Sequence, residues 1–219
     1  MSSHFTPDEV KAALLQPDKD VPTVTHRMLR RDEQGRPIPR PGPPAAGPEP
    51  RQAAVLVPFF QHPYGGRDDA LWLLFTRRTD HLPKHRGQIS FPGGSVEEID
   101  ESYLATALRE FEEELGVRAG LVTVWGSLKP VYVPPSHFMI HPFVGFLPYR
   151  PQWRPQPAEV AGLIEAPLAE LLAPGCFGYR FKEKEGRRFY EPGFDYRGNW
   201  IWGATAIILD QLLAHLEPA

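Results

Sequence analysis

Residues 93–117 read GGSVEEIDESYLATALREFEEELGV, so a double glycine and an acidic loop come directly before a carboxylate-rich segment. At 100° per residue, four apolar side chains of this segment share one narrow stripe: Leu104, Leu108, Phe111 and Leu115. Glu110, Glu113 and Glu114 lie on nearly the opposite side. The pattern predicts a helix with one face in the core and a carboxylate cluster on the other.

The position of these glutamates is unfavourable for the helix itself. Glu112, Glu113 and Glu114 lie in the last turn before Gly116, where the negative end of the helix dipole repels acidic groups. An unfavourable placement without local compensation is typical of a functional site. Oxygen ligands at positions i, i+3 and i+4 suit Mg²⁺ or Mn²⁺, whereas a bare Glu-rich helix would more simply be a solvated acidic face.

The spacing around the helix resembles the box of the Nudix hydrolase family. That box reads Gly, five residues, Glu, seven residues, then Arg-Glu-apolar-any-Glu-Glu-any-Gly-apolar. The second half is filled without a mismatch by Arg109, Glu110, Phe111, Glu113, Glu114, Gly116 and Val117. The first half is one residue longer. Counting forward from Gly94 reaches Asp100 and counting back from Arg109 reaches Glu101, so both carboxylates remain candidates for the first acidic position.

The segment before the box resembles the signature of the coenzyme A pyrophosphatase branch of that family. Arg78, Gly87 and residues 91–94 (FPGG) match it, whereas Thr79 stands where Ser or Ala is usual and Pro83 where Arg is expected. A guanidinium is the natural bidentate partner of a phosphate, and Lys84 or Arg86 could substitute for the missing one. Residues 134–145 and 200–206 also resemble this branch. A histidine is usually a structural group, so His137 and His141 are expected to have structural roles.

The resemblance implies an α/β fold, the Nudix-type alpha/beta/alpha sandwich with a mixed sheet. It implies a diphosphatase that cleaves coenzyme A or acyl-CoA to 3',5'-ADP and (acyl-)4'-phosphopantetheine. Its catalytic residues would be Arg109, Glu110, Glu113 and Glu114. Mg²⁺ or Mn²⁺ would be bound by Glu110, Glu113, Glu114 and the Gly94 carbonyl, and the substrate by Arg78, Lys84, Arg86, Gly93 and Gly94. Arg109 would orient a glutamate.

Two other functions remain open on the sequence. One is an ADP-ribose or nucleotide-sugar pyrophosphatase, and the other is a non-catalytic module that senses a nucleotide. The complete Arg-Glu-any-any-Glu-Glu core argues against a pure sensor, which has no need of every metal carboxylate.

Composition bounds the class of protein. The 219 residues, 42% of them hydrophobic, suffice for one substantial core. A net charge of -3 gives no general attraction to nucleic acid or to an anionic membrane, so we expect a small substrate. The resemblance implies that this small molecule is a nucleotide diphosphate, and we expect a monomer or homodimer. The single cysteine, Cys176, excludes an internal disulfide and is interpreted as a small apolar residue. No apolar run is long enough to span a bilayer and no signal pattern opens the chain, so a cytoplasmic location is expected.

The chain is predicted to have three parts: an N-terminal extension with a short helix (1–36), a Pro-rich linker (37–50) and the Nudix hydrolase domain (51–219). Thr6 is the expected N-cap of the short helix and Pro7 its first residue. Seven of the fourteen residues from 37 to 50 are proline, which favours an extended linker or a strap on the surface. A chain beginning at residue 51 is therefore expected to stay folded, unless the N-terminal helix packs on it.

Within the domain, hydrophobic patterns predict strands at 53–59, 71–75, 121–125 and 138–147. Residues 181–190 predict a hairpin with a solvated, charged tip, and 204–215 predict a final helix. This mixed order favours a sheet between helices.

Overall fold

A computed structural model describes residues 5–16, 19–64, 66–79 and 87–217. Its strands are β1 Arg51–Gln61, β2 Leu71–Arg78, β3 Ile89–Ser90, β4 Gly93–Ser95, β5 Thr123–Ser127, β6 Val131–Val133, β7 Phe138–Leu147, β8 Val160–Pro167, β9 Phe177–Lys184, β10 Arg187–Tyr196 and β11 Asn199–Trp202. Its helices are α1 Pro7–Leu14, α2 Tyr103–Leu115, α3 Leu168–Leu171 and α4 Gly203–Leu216, with short 3₁₀ turns at His26–Met28 and Ala119–Leu121.

The main sheet has the strand order β3-β2-β1-β7-β5, and β4, β6 and β8 pair with β1, β7 and β2 respectively. Strands β1 and β7 are parallel, whereas the other described pairs are antiparallel, so the sheet is mixed. Strands β9, β10 and β11 form a second, antiparallel sheet.

Side chains of β1 alternate between two separate cores, as the period of two residues in a strand requires. Leu56 and Phe60 pack with Phe111 and Leu115 of α2. Val57 and Phe59 belong to the cluster that contains the apolar side chains of α4. The sheet therefore lies between α2 and α4, which confirms the predicted alpha/beta/alpha sandwich.

Helix α2 forms as its periodicity predicts. Ser102 is the N-cap and its side chain accepts a hydrogen bond from the Ala105 N–H, while Gly116 ends the helix in the left-handed region at φ 64°. Phe111 and Leu115 are fully buried. These caps fix the start and end of the helix, and therefore the direction in which its glutamates point.

Most predicted elements are confirmed. The strand at 138–147 has the predicted bounds, the hairpin is longer than predicted, and the final helix begins one residue earlier. The prediction of a strand from residue 121 is wrong, because residues 119–121 form a 3₁₀ turn and β5 begins at Thr123. Among the residues that the structure describes, no helix has the length and hydropathy needed to cross a bilayer.

The N-terminal extension packs on the rest of the chain. The predicted cap of α1 is confirmed, since Thr6 and Glu9 form a capping box, and Val10 is buried in the α4 cluster. Further along, Arg27 pairs with the buried Asp210 of α4. In the Pro-rich stretch, the Arg40 side chain donates a hydrogen bond to the Tyr132 carbonyl (2.9 Å). The division into three parts stays a prediction, and residues 19–50 are called the strap below.

Candidate active site

Two glycines let the backbone of β4 contact the box helix. Strand β4 pairs with the start of β1, so that Gly94 lies opposite Ala54. A Cβ atom at Gly93, whose φ is 153°, would collide with the backbone of Ala54 and Val55. A Cβ atom at Gly94 would collide with the carboxylate of Glu110. Only glycine permits this approach, which places a helix carboxylate directly against the β4 backbone.

Glu114 is the most enclosed acidic group of the site. Its residue surface is 4% exposed, and Oε1 accepts a long hydrogen bond from the Gly93 N–H (3.5 Å). Its Oε2 atom is buried without a hydrogen-bond partner. Burial raises the pKa of Glu114 to about 8, against the opposing effects of the Gly93 N–H and the charge of Arg78. A group in this state requires either a proton or a cation.

Glu110 lies one turn earlier and is also enclosed, with 13% of its side chain exposed. Burial raises its pKa, while Arg109 acts in the opposite direction through its charge and a hydrogen bond of 3.0 Å. Glu110 and Glu114 are thus neighbouring carboxylates that share one boundary with the Gly93-Gly94 backbone.

Arg109 connects the box loop to the helix. Its Nε and Nη2 atoms donate to the two oxygens of Asp100 at 2.9 and 3.0 Å, and Nη2 also donates to the Ser95 carbonyl. The Asp100 carboxylate is 3% exposed and also accepts hydrogen bonds from Thr106 Oγ1 and the Glu97 N–H. The hydrogen bond from Arg109 holds the pKa of Asp100 well below its usual range. Glu101 is exposed, so Asp100 is the carboxylate that pairs with the box arginine.

Glu113 takes a different position from the other two glutamates. Its side chain is 58% exposed, and its Oε2 accepts a hydrogen bond from Arg109 at 3.0 Å. Within the described ranges, no group of three or more His, Cys, Asp or Glu side chains has the arrangement of a metal site. The structure thus brings Glu110 and Glu114 together with Gly93 and Gly94, and leaves Glu113 on the outer side of Arg109.

The described part of the site nevertheless fits a cation. The orphaned Oε2 of Glu114 is a buried hard oxygen, which is a ligand that Mg²⁺ and Mn²⁺ prefer. The neighbouring Glu110 supplies a second carboxylate. Because Gly94 has no side chain, its backbone lies close to the Glu110 carboxylate.

The predicted substrate-binding residues are only partly described. Arg78 ends β2, is half-buried, and its positive charge opposes the increase in the pKa of Glu114. Lys84 and Arg86 lie outside the described residues.

The histidines and the cysteine are engaged elsewhere. His137 bonds to the Tyr132 hydroxyl and the Pro48 carbonyl, and His141 bonds to Gln52 and stacks on Tyr103 at 3.7 Å between ring centroids. Cys176 is buried, and burial raises the pKa of its thiol to about 11. These contacts agree with structural roles.

One acidic residue near the site was missed by the sequence analysis. Glu159 precedes β8, and its negative charge adds to the effect of burial in raising the pKa of both Glu110 and Glu114. No motif or spacing marks it, because it reaches the site through the loop between β7 and β8. Its position could be found only from the packing of that loop.

Comparison with known proteins gives three findings. A NUDIX domain family model matches residues 50–182. A relative from Yersinia pestis (strain Pestoides F), named as an uncharacterized Nudix hydrolase NudL, is 40% identical over 164 residues, which cover 74% of this chain and 78% of the relative. A MutT/nudix family protein from Enterococcus faecalis has a similar structure, with a TM-score of 0.52 and 18% identity over 78% of this chain and 63% of that one.

Proposed function

Because this chain belongs to the Nudix hydrolase family, we propose that it is a diphosphatase that uses Mg²⁺ or Mn²⁺ to cleave coenzyme A or acyl-CoA. The products are 3',5'-ADP and 4'-phosphopantetheine or its acyl form. The observation that carries the cation-dependent chemistry is the buried, unpartnered Oε2 of Glu114, next to Glu110 and the Gly93-Gly94 backbone.

The chemistry requires charge neutralisation first. A diphosphate is anionic, so a site lined by carboxylates would repel it without a cation. A divalent cation supplies the positive charge and polarises the phosphoryl oxygens. Glu110, Glu114 and the Gly94 carbonyl would hold it, with Glu113 as a further ligand. Arg109 holds both Glu110 and Glu113 through Nη1, at 3.0 Å each, and so fixes their orientation.

The coenzyme A assignment is supported by the segment before the box. Arg78 matches the signature of the coenzyme A branch, and its positive charge opposes the effect of burial on the pKa of Glu114. Its guanidinium is the proposed partner of a phosphate oxygen of the substrate. Coenzyme A differs from ADP-ribose by a 3'-phosphate and a long pantetheine arm. The basic residues Lys84 and Arg86 are the proposed partners of that additional phosphate.

A panel of diphosphates tests this function. The full chain is incubated with coenzyme A, acetyl-CoA, dephospho-coenzyme A or ADP-ribose, with Mg²⁺ or Mn²⁺, and the products are identified by mass. We expect coenzyme A to be hydrolysed with a kcat/KM at least about tenfold above those of dephospho-coenzyme A and ADP-ribose, because a charge-assisted contact to phosphate contributes about 1.5 to 3 kcal/mol.

Variants identify the source of this preference. Lys84→Ala or Arg86→Ala should narrow the gap between coenzyme A and dephospho-coenzyme A, whereas Lys182→Ala, on the exposed hairpin, should leave it unchanged. A higher kcat/KM for ADP-ribose would replace the coenzyme A assignment with the ADP-ribose alternative. Binding without hydrolysis of any compound would make the chain a sensor.

A further inference from the structure

The loop before β8 is fixed against the C-terminal end of the box helix. The Arg154 N–H donates to the Leu115 carbonyl and the Gln156 N–H to the Glu114 carbonyl, both at 2.8 Å. The loop then closes on itself, because the N–H groups of Glu159 and Val160 donate to the Gln156 carbonyl at 3.1 and 2.9 Å. Position 159 is therefore tied to the same turn of helix that carries Glu114.

A second anchor comes from the end of β2. The Thr79 N–H donates to the Glu159 carbonyl at 3.0 Å, and Thr79 Oγ1 donates to the Ala158 carbonyl at 3.1 Å. Thr79 is 5% exposed, so these two bonds are shielded from water. Thr79 stands where Ser or Ala is usual in the coenzyme A signature, and its hydroxyl makes one of its two hydrogen bonds to the loop.

Glu159 differs from the box carboxylates in the partners of its side chain. Glu110 and Glu113 are held by Arg109, and one oxygen of Glu114 accepts from Gly93. Glu159 is exposed, and within the part of the chain that the structure describes its carboxylate has no ion pair and no hydrogen bond. Its loop is hydrogen-bonded to the Glu114 carbonyl through the Gln156 N–H, and its charge adds to the effect of burial on the pKa of both Glu110 and Glu114. Glu159 is thus an exposed carboxylate on a loop that is fixed to the box helix.

We propose that Glu159 is the general base of the hydrolysis and that Thr79 is a positioning residue that holds it over the site. This inference rests on the proposed diphosphatase function. A general base must reach a water molecule at the edge of the site, which an exposed carboxylate on an anchored loop can do.

The oxygen of one water molecule forms a bond to one phosphorus of the diphosphate, and one proton of that water moves to a carboxylate oxygen of Glu159. The bond from this phosphorus to the bridging oxygen breaks, and the bridging oxygen keeps the electron pair on the departing phosphate. The second proton of the water stays on the oxygen that is now bound to phosphorus, and Glu159 then releases its proton to solvent.

The test compares Glu159→Gln with Glu98→Gln, an exposed glutamate of the box loop, in the full chain. We expect Glu159→Gln to lower kcat by about a hundredfold or more, within the range of general-base catalysis, and Glu98→Gln to change it less than about threefold. The binding of Mn²⁺ alone, measured by electron paramagnetic resonance, should stay within about threefold of the wild-type Kd in both variants.

Each other result overturns a different statement. A fall in kcat of less than tenfold in Glu159→Gln removes Glu159 from the reaction. A loss of activity together with a loss of Mn²⁺ binding makes it a cation ligand and excludes the general-base role. If the wild-type chain hydrolyses no diphosphate of the panel, the proposed function fails whatever the variant does.

Thr79 is tested with variants that separate its hydroxyl from its volume. Thr79→Val keeps the shape and removes the hydrogen bond to Ala158, so we expect kcat to fall by about three- to tenfold with KM nearly unchanged. Thr79→Ser keeps the hydroxyl and should restore kcat to within about twofold of wild type. Equal kcat values for the Val and Ser variants would contradict the positioning role.

Discussion

Glu114 combines two conditions that are unfavourable for an acid: it is buried, and one of its oxygens has no partner. We expect Glu114→Gln and Glu110→Gln each to lower kcat by at least about a hundredfold, because each removes a charged oxygen from a site that stabilises negative charge on phosphate. Glu112→Gln, on the exposed side of the same helix, is the control and should keep kcat within about threefold. Activity within tenfold of wild type in both test variants would remove these glutamates from the mechanism.

The pKa of Glu114 also predicts how stability changes with pH. Its folded-state value of about 8 lies above its ordinary value of 4.5, so between these values the folded state binds more protons than the unfolded state. The stabilisation from the protonated carboxyl is thus complete below about pH 4.5 and is lost as the pH rises through 8. We expect the cation-free protein to lose stability over this range, and Glu114→Gln to flatten the decrease.

Urea unfolding of the cation-free protein at several pH values measures this effect. The informative quantity is the difference in unfolding free energy between Glu114→Gln and wild type, which should increase from pH 5 to pH 8 in favour of the variant. Added Mn²⁺ should stabilise the wild type most at high pH, where no proton competes for Glu114. A difference that does not change with pH would show that Glu114 is ionised in the folded state.

The box helix and its loop illustrate what the sequence can predict. The period of the apolar residues and Gly116 are local signals, so the sequence predicts the buried face and the end of α2. The choice between Asp100 and Glu101 depends on how the loop folds back on Arg109, which counting residues does not describe. Glu159 meets the site through hydrogen bonds between segments that are distant in sequence, and no local pattern encodes them.

The pairing of Arg109 with Asp100 gives a direct test of the loop. Asp100→Asn keeps the shape but removes the charge that balances Arg109 and weakens two charge-assisted hydrogen bonds. We expect it to lower the melting temperature by several degrees and kcat by about tenfold or more, because Arg109 would no longer be held in place for Glu110. Glu101→Gln is the matched control and should change neither. Equal effects of the two substitutions would contradict the assignment of Asp100 to the first acidic position.

The two faces of the main sheet carry different groups. The α2 face carries the glutamates and the glycine backbone, whereas the α4 face is covered by apolar contacts, to which the N-terminal extension contributes Val10 and Met28. The Pro-rich composition predicts an extended linker or strap, but composition does not encode where an extended segment binds. Whether a chain that begins at residue 51 stays folded therefore depends on an interface that the sequence does not show.

The packing of the N-terminal helix on the domain is the condition under which that expectation does not hold. Removing residues 1–50 would expose the apolar surface under Val10 and Met28, and it would leave Asp210 buried without Thr25 and Arg27, both of which donate hydrogen bonds to it. Burial already raises the pKa of Asp210. Loss of the partner of a buried charge costs about 3 kcal/mol, so we expect the truncated chain to melt roughly 10 °C lower, and to aggregate on heating.

A second substitution separates the buried charge from the lost apolar contacts. In the full chain, Asp210→Asn should destabilise, because it weakens the pair with Arg27. In the chain that begins at residue 51, the same substitution should stabilise, because it removes a buried carboxylate that has lost both partners. Four proteins are compared: the full chain and the chain that begins at residue 51, each with and without Asp210→Asn. Their melting curves, followed by circular dichroism, give the coupling energy between residues 1–50 and Asp210 of α4. If Asp210→Asn has the same effect on both chains, residues 1–50 do not act through Asp210, and their apolar contacts, which include Val10 and Met28, account for the stabilisation.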